Sequence, residues 1–118
     1  MNKEKLAARI RQRYGVQADY PWAKYPDYAV YRHGHNRKWF ALLMSVPSEK
    51  LGLAGRSGKI DIANFKVRPE YIGAWRSQPG ILPAYHMNKA HWVSAVLADC
   101  DEAALLSLLA DSFALTEK

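Results

Sequence analysis

The sequence predicts an α+β fold, a two-layer sandwich in which helices cover one antiparallel sheet. Segments with helical spacing of apolar residues and segments with strand-like alternation follow one another in the order α-β(3)-α-β(2)-α. The connections between successive strands are mostly short and rich in turn-forming residues, which is typical of antiparallel pairing. The chain has 118 residues, a length that fits one domain, and we place that domain at residues 1–118.

The first element is predicted to be a helix that stops at a glycine. Asn2 can cap the first turn, and Gly15 can adopt the left-handed conformation that closes a helix. Between them, Leu6, Ile10 and Tyr14 recur every four residues and form one narrow apolar stripe. We therefore expect a helix that begins after Asn2 and ends at about Tyr14.

Two strands joined by a tight turn follow an aromatic connection at 19–27, in which two prolines disfavour helix. A strand is expected at 28–32, a turn at 33–36 and a longer strand at 37–46. Simple alternation along the longer strand puts one set of side chains on one face, Phe40, Leu42, Met44 and Val46. It puts a second set on the other face, Trp39, Ala41 and Leu43. Because both sets are apolar, we expect this strand to be central in the sheet.

The connection at 47–58 is predicted to be a flexible surface loop. Its glycines are similar to those of a phosphate-binding loop, but Leu53 stands where that pattern needs glycine, and Ile60 where it needs Ser or Thr. The next strand is expected at 59–67. Its apolar residues change phase part-way along, which predicts a β-bulge near Ala63–Asn64.

The last third of the chain predicts a short helix, two strands and a final helix. Pro69 suits the first position of a helix that runs to Ser77, and strands are expected at 81–85 and 91–97. Asp99 and Glu102 have the spacing of a capping box and predict the start of the final helix. The expected buried stripe of that helix consists of Leu105, Leu106, Leu109 and Phe113.

Charge is distributed unevenly along the chain. The net charge is +6, with +10 on residues 1–98 and −4 on residues 99–118. A basic body favours polyanionic partners, although a surface that only promotes solubility has the same composition.

Cysteine content and hydropathy indicate the compartment. Cys100 is the single cysteine, which excludes an intrachain disulfide and fits a reducing environment. We expect it to be a small side chain at the start of a helix and not a reactive thiol. No apolar run reaches the ~20 residues of a membrane span. Arginines interrupt any signal-peptide core, so we expect a cytoplasmic protein with no membrane partner.

Three segments of the chain are distinctive, Tyr85-His-Met-Asn-Lys-Ala-His-Trp92, Phe65-Lys-Val-Arg-Pro-Glu70 and Lys38-Trp-Phe-Ala41. They resemble the MmcQ/YjbR family, and the likeness extends over almost the whole length. The resemblance implies the element order given above, in a fold similar to type III secretion chaperones and frataxin. It also implies a "double wing" motif that binds DNA through two β-hairpins, an association by fold alone.

Both predicted hairpin tips carry groups suited to nucleic acid. Lysines and arginines neutralise phosphates without regard to sequence, whereas Asn88 is the one candidate for touching base edges. The first tip offers Arg32, His33, His35, Arg37 and Lys38, and the second offers His86, Asn88, Lys89 and His91. A possible extension of this patch on the first helix consists of Arg9, Arg11 and Arg13. No recognition helix or RNP-like aromatic pair accompanies these residues.

Two further functions compete with DNA binding. An exposed aromatic face would bind a peptide or a protein partner, through Tyr20, Trp22, Tyr25, Tyr28 and Trp39. Burial beneath the proline-containing connection is the favoured interpretation of these rings.

An enzyme or metal site is the other alternative. The four histidines lack the spacing of metal ligands, and no nucleophile–base pair stands out. We therefore expect no catalysis, metal or cofactor. The segment Asn88–Trp92 is either a structural turn or a ligand site, and the sequence favours the turn.

Overall fold

One antiparallel sheet with helices on one face forms the described part of the protein. The computed structural model describes residues 1–53 and 55–118. Within them the helices are α1 (Lys3–Tyr14), α2 (Ile72–Arg76) and α3 (Glu102–Thr116). The strands are β1 (Ala29–Arg32), β2 (Trp39–Pro47), β3 (Lys59–Lys66), β4 (Ile81–Pro83) and β5 (Trp92–Val96). Short 3-10 turns occupy Ser48–Leu51 and Pro69–Tyr71.

The strand order is β1-β2-β3-β5-β4, and every neighbouring pair is antiparallel. The two hairpins, β1–β2 and β4–β5, therefore lie on either side of β3. This arrangement confirms the predicted two-layer α+β class, and it confirms that β2 is an inner strand with two buried faces. None of the helices in the described residues is long and apolar enough to cross a membrane.

Apolar residues fill both sides of the sheet. On the helix-covered face the large fully buried side chains include Phe40, Phe65, Leu43, Leu105 and Leu109. The opposite face has a second cluster built on Val30, Leu42, Met44, Val46 and Ile62. Partly buried rings and aliphatic side chains from the connections cover this second cluster. The sheet is thus hydrophobic on both faces, as its sequence predicts.

The ends of α1 are confirmed. The side-chain oxygen of Asn2 accepts a hydrogen bond from the backbone N–H of Lys5 at 2.9 Å. Gly15 has φ +66° and donates its backbone N–H to the Arg11 carbonyl at 2.9 Å. The two ends therefore satisfy backbone groups that a helix of this length would otherwise leave open.

The predicted facing of the first residues of β2 is wrong because a bulge lies there. Tyr31 of β1 pairs with Ala41, but Arg32 pairs with Trp39, so Phe40 is an extra residue in β2. Phe40 consequently joins Ala41 in the helix-side core. Trp39 turns to the opposite face.

The bulge predicted near Ala63–Asn64 is absent, since the register of β3 against β2 runs unbroken from Lys59 to Phe65. The phase change has another cause. Ile60 and Ile62 face the second cluster, while the following apolar residues face the helices, because β3 is buried on both sides.

A serine of α3 completes the sheet where β2 and β3 separate. Regular pairing ends at Ala41 opposite Phe65, so Phe40 would next face Lys66. Ser112 stands between them: its hydroxyl accepts the Lys66 N–H at 2.9 Å and donates to the Phe40 carbonyl at 2.6 Å. The hydroxyl therefore replaces one direct ladder bond and ties α3 to both strands.

The predicted capping box of α3 is wrong. The helix begins one residue after Asp101, whose side chain makes no capping hydrogen bond in the described structure. Asp99 instead pairs with Arg56, with Oδ2 2.6 Å from Nη2. The buried stripe also shifts from the predicted one, to Leu105, Leu108, Leu109, Ser112 and Thr116.

The flexible loop predicted at 47–58 lies only partly within the described residues. Ala54, within that stretch, lies outside the described residues. Before it, Ser48 is buried, and its hydroxyl donates to the Arg56 carbonyl at 2.8 Å. The beginning and the end of the connection are therefore hydrogen-bonded to each other.

Candidate functional site

The turn between β1 and β2 (residues 33–38, the first turn) and the connection between β4 and β5 (residues 84–91, the second connection) leave the same end of the sheet. This follows from the antiparallel order, because β1 and β4 end there and β2 and β5 begin there. The hairpin centres are three strand spacings apart, roughly 14 Å at about 4.8 Å per spacing. The strand ends that carry the two groups of predicted binding residues are therefore near one another.

The first turn is largely committed to holding the end of α3. The ring of His33 is buried, only 3% exposed, between Phe40 and Phe113. Its Nε2 lies 2.8 Å from the hydroxyl of Thr116. Because Thr116 donates its own hydroxyl to the Ser112 carbonyl, Nε2 is the donor in this bond. The prediction that His33 contacts nucleic acid is wrong, since its ring does not reach the surface.

Three more side chains of the first turn bind backbone carbonyls at the end of α3. His35 donates to the Glu117 carbonyl at 2.6 Å, and Lys38 donates to the Lys118 carbonyl at 2.7 Å. Asn36 donates to the Thr116 carbonyl at 2.9 Å. These bonds satisfy carbonyls that have no partner within a helix. His35 and Lys38 are exposed, but each donates one hydrogen bond to a backbone carbonyl of the protein itself.

Arg32 and Arg37 share one carboxylate. The Nε of Arg32 lies 2.9 Å from Oδ2 of Asp19, without the alignment of a hydrogen bond, and the Nη2 of Arg37 lies 3.8 Å from the same oxygen. The guanidinium of Arg32 also lies 5.5 Å from the ring centre of Trp39. One negative charge faces two positive ones, so the pair keeps a net positive charge. Arg37 has φ +62° and a side chain that is 67% exposed.

The second connection is folded over the sheet and does not project from it. The buried side chains of Asn64 and Ser94 hold the backbone of Tyr85. Asn64 donates to the Tyr85 carbonyl at 2.9 Å, and the Tyr85 N–H donates to the Ser94 hydroxyl at 2.8 Å. Ser94 in turn donates to the side-chain oxygen of Asn64, which closes the network. The wing predicted here therefore lies on the face opposite the helices.

Asn88 organises the turn within the second connection. Its side-chain oxygen accepts the Ala90 N–H at 2.8 Å, and its carbonyl accepts the N–H groups of His91 and Trp92. This geometry supports the structural interpretation of Asn88. Around it, His86, Lys89 and His91 are exposed, and His86 has φ +57°.

The arginines proposed as an extension on α1 do not form one patch with the second connection. Leu6 and Ile10 pack α1 against the helix-side core, whereas the second connection covers the other face. Arg9 lies 3.9 Å from the Glu102 carboxylate. Arg13 lies over the ring of Tyr14, which stacks on Phe113 of α3 with the ring centres 4.0 Å apart. The predicted extension is thus on the wrong side of the sheet for the second connection.

A cleft lined with aromatic rings opens between the 19–27 connection and the second connection. We call it the aromatic cleft, and its volume is about 310 Å³. Trp22 meets Trp39 edge-on at 5.7 Å, and Tyr25 stacks on Tyr28 at 4.6 Å. Its lining consists of Trp22, Tyr25, Tyr28, Trp39, Leu42, Met44, His86 and Met87. Tyr28 is buried and Trp22 and Trp39 are partly buried, as expected, whereas Tyr20 and Tyr25 are exposed. The connection therefore leaves a concave opening at the cleft.

Two basic side chains lie against rings of the aromatic cleft. Lys24 lies 5.7 Å from the ring centre of Tyr25, and Arg32 covers Trp39 as described. An adjoining hollow is lined by Tyr85 and His86 and by two lysines, Lys50 and Lys89. Burial raises the pKa of the Tyr28 phenol, with a further contribution from the neighbouring Tyr85. That phenol is therefore neutral near pH 7 and can donate a hydrogen bond.

Two other groups bear on the alternative chemistries. Burial raises the pKa of the Cys100 thiol to about 11, so a reactive thiolate is not available at neutral pH. Among the described residues no group of three or more His, Cys, Asp or Glu side chains is placed to hold a metal ion.

The family model described as YjbR matches residues 11–115, which is most of the chain. The chain belongs to the YjbR family. The uncharacterised protein YyaQ of Bacillus subtilis (strain 168) is 46% identical over 118 residues, covering 99% of each chain.

Solved structures agree with this assignment. A crystal structure of a Pseudomonas syringae protein has a TM-score of 0.95 at 45% identity and covers 98% of this chain and 99% of that one. A crystal structure from Deinococcus radiodurans has a TM-score of 0.70 at 22% identity, covering 99% of this chain and 79% of that one. At that identity the second likeness shows the fold alone.

Sequence reasoning missed the groups that build the site. Asn64, Ser94 and Ser112 were not singled out, although each is a lone polar residue within an apolar strand or helix face. That pattern was the available signal, because a buried polar group needs a partner. The aromatic cleft gave no such signal, since it arises where two connections meet.

Proposed function

We propose that this protein binds nucleic acid, with DNA as the expected partner, and catalyses no reaction. The observation that supports this most is that the first turn and the second connection leave one end of the sheet roughly 14 Å apart, at about 4.8 Å per strand. Their cationic groups can meet the same polyanion. The family resemblance to double-wing proteins points the same way, but by fold alone.

The groups proposed to contact phosphates are those that the fold leaves exposed. Arg37 shares its carboxylate with Arg32, and Lys89 has no ion-pair partner within 4.0 Å among the described residues. His86 and His91 are exposed on the same connection as Lys89. His33 is excluded from the proposal by its burial. Binding of this kind is electrostatic and depends little on sequence.

A salt titration tests the proposal. The affinity for a fluorescein-labelled DNA oligonucleotide is measured by anisotropy between 50 and ~300 mM salt. Each phosphate contact contributes about 0.9 to the slope of log affinity against log salt. The double variant Arg37→Ala, Lys89→Ala should therefore bind more weakly and lower that slope by about 2.

The matched control removes two exposed charges elsewhere. Lys5 lies near the start of α1, and Arg76 ends α2, away from the first turn and the second connection. The double variant Lys5→Ala, Arg76→Ala has the same net charge as the test variant. An equal loss of affinity in both would mean that net charge alone drives binding. No binding by the unaltered protein at low salt would refute the proposed function.

The alternative, a protein-interaction module with an aromatic face, is not favoured. Trp22 and Trp39 are partly buried against the second cluster, and Tyr28 is buried. The exposed large hydrophobic side chains of the described residues are tyrosines only, Tyr20, Tyr25 and Tyr71. Tyrosine tolerates water at its hydroxyl, so these rings do not by themselves require a partner.

A further inference from the structure

We propose that the aromatic cleft accepts one unpaired nucleobase, and that the preferred partner is therefore a single strand of nucleic acid. This inference rests on the proposed function and refines it. A cleft of about 310 Å³ is at the lower end of the range for small-molecule sites, about 300–1,000 Å³. It suits one ring system and is too small for a folded segment of protein.

The walls of the cleft are suited to a planar guest. The 19–27 connection contributes Trp22 and Tyr25 to the lining, the second connection contributes His86 and Met87, and β2 contributes Trp39. Stacking on aromatic side chains is how proteins bind unpaired bases with little regard to sequence, because every base has a π face. Met87 adds a polarisable contact that adapts to ring shape.

The charge around the cleft decides between possible guests. Aromatic clefts also bind cations, but here the protein's own cations already lie against the rings. Arg32 lies 5.5 Å from the centre of Trp39, and Lys24 lies 5.7 Å from the centre of Tyr25. Asp19 is shared by Arg32 and Arg37, and Asp27 pairs with Lys3, so positive charge still exceeds negative charge around the cleft. A neutral ring attached to a phosphate is therefore favoured over a cationic guest. A nucleotide of a single strand has this combination.

The position of the cleft favours single strands over duplexes. Its floor is the sheet face at Leu42 and Met44, below the two connections that form the walls. A base paired within a duplex cannot enter unless it first leaves the stack, which is unfavourable. When a base of a single strand occupies the cleft, the neighbouring phosphates of that strand can reach Lys50 and Lys89 in the adjoining hollow.

The test compares single and double strands on the unaltered protein and on cleft variants. Anisotropy is measured with labelled oligodeoxythymidine, with its duplex and with the same strand carrying abasic sites. The unaltered protein should bind the intact single strand at least about 5-fold more tightly than the abasic one, since stacking is lost. Tyr25→Ala and Met87→Ala should reduce single-strand affinity by about the same factor and leave duplex affinity unchanged.

The control is Tyr20→Ala, which removes a more exposed tyrosine, 60% against 40%, that does not line the cleft. It should bind like the unaltered protein. Equal affinity for intact and abasic strands would overturn the inference while leaving the proposed function in place. Absence of binding to every oligonucleotide would refute both. A change of self-association in Tyr25→Ala, seen by sedimentation without any change in DNA affinity, would assign the cleft to a second copy of the chain and overturn the inference.

Discussion

Replacing Ser112 by alanine tests how the sheet is closed between β2 and β3. The Ser112 hydroxyl is fully buried, and it joins the Lys66 N–H and the Phe40 carbonyl with bonds of 2.9 and 2.6 Å. In Ser112→Ala both backbone groups lose their partner without gaining water. A buried polar group left unpaired costs about 1–3 kcal/mol, so two such groups predict a loss of roughly 2–6 kcal/mol in the free energy of unfolding.

Urea denaturation followed by tryptophan fluorescence measures this loss. The matched control is Ser107→Ala, which removes the same hydroxyl from an exposed position of α3. The control should change the unfolding free energy by less than about 0.5 kcal/mol. A loss in Ser112→Ala no larger than the control's would refute the argument, because the two strands would then pair directly without the hydroxyl.

Two further outcomes concern stability. Burial is the main reason why the pKa of His33 is lowered below its ordinary 6.5, and the nearby His35 lowers it further. His33 in the unfolded chain therefore binds a proton more readily than His33 in the folded protein. Its contribution to the free energy of unfolding should be constant above pH 6.5 and fall below that pH until the lowered pKa of the folded state is reached. The decline should be at most about 1.4 kcal/mol per pH unit. His33→Gln should flatten that decline in urea titrations at several pH values, and an unchanged slope would contradict the assignment. In Gly80→Ala, at φ +80°, the new Cβ would lie 2.8 Å from Sγ of Cys100, so we expect a loss of about 2 kcal/mol or more. The control Gly34→Ala, with nothing within 4 Å and no positive φ, should stay within about 1 kcal/mol in the same assay.

The sequence predicted well what depends on local signals. Asn2 and Gly15 bound α1 because capping is decided within a few residues. The inner position of β2 followed from its two apolar faces. The fold class followed from the order of the elements and the shortness of most of their connections.

Errors came from long-range contacts. The bulge at Phe40 arises where α3 meets the sheet, and alternation along one strand carries no sign of it. Asp99 has the spacing of a cap, but Arg56, far away in the sequence, binds it instead. His33 looks like a polar tip residue, yet Phe113 and Thr116 bury it. In each case a partner more than forty residues distant decides the outcome.

The site was predictable only in part, because some of its contacts are also long-range. The two hairpin connections and their cations were found from sequence, whereas the folding of residues 84–91 over the sheet depends on Asn64 and Ser94. The likeness to secretion-chaperone and frataxin folds remains a prediction.

The hydrogen bonds between residues 33–38 and the end of α3 have a consequence for biosynthesis. The bonded groups are 80–83 residues apart, so the turn leaves the ribosome long before the carbonyls that it will bind have been made. Until then the imidazole and amide groups of the turn have only water as a partner. The earliest hairpin of the chain should thus acquire its final shape only after α3 has been made.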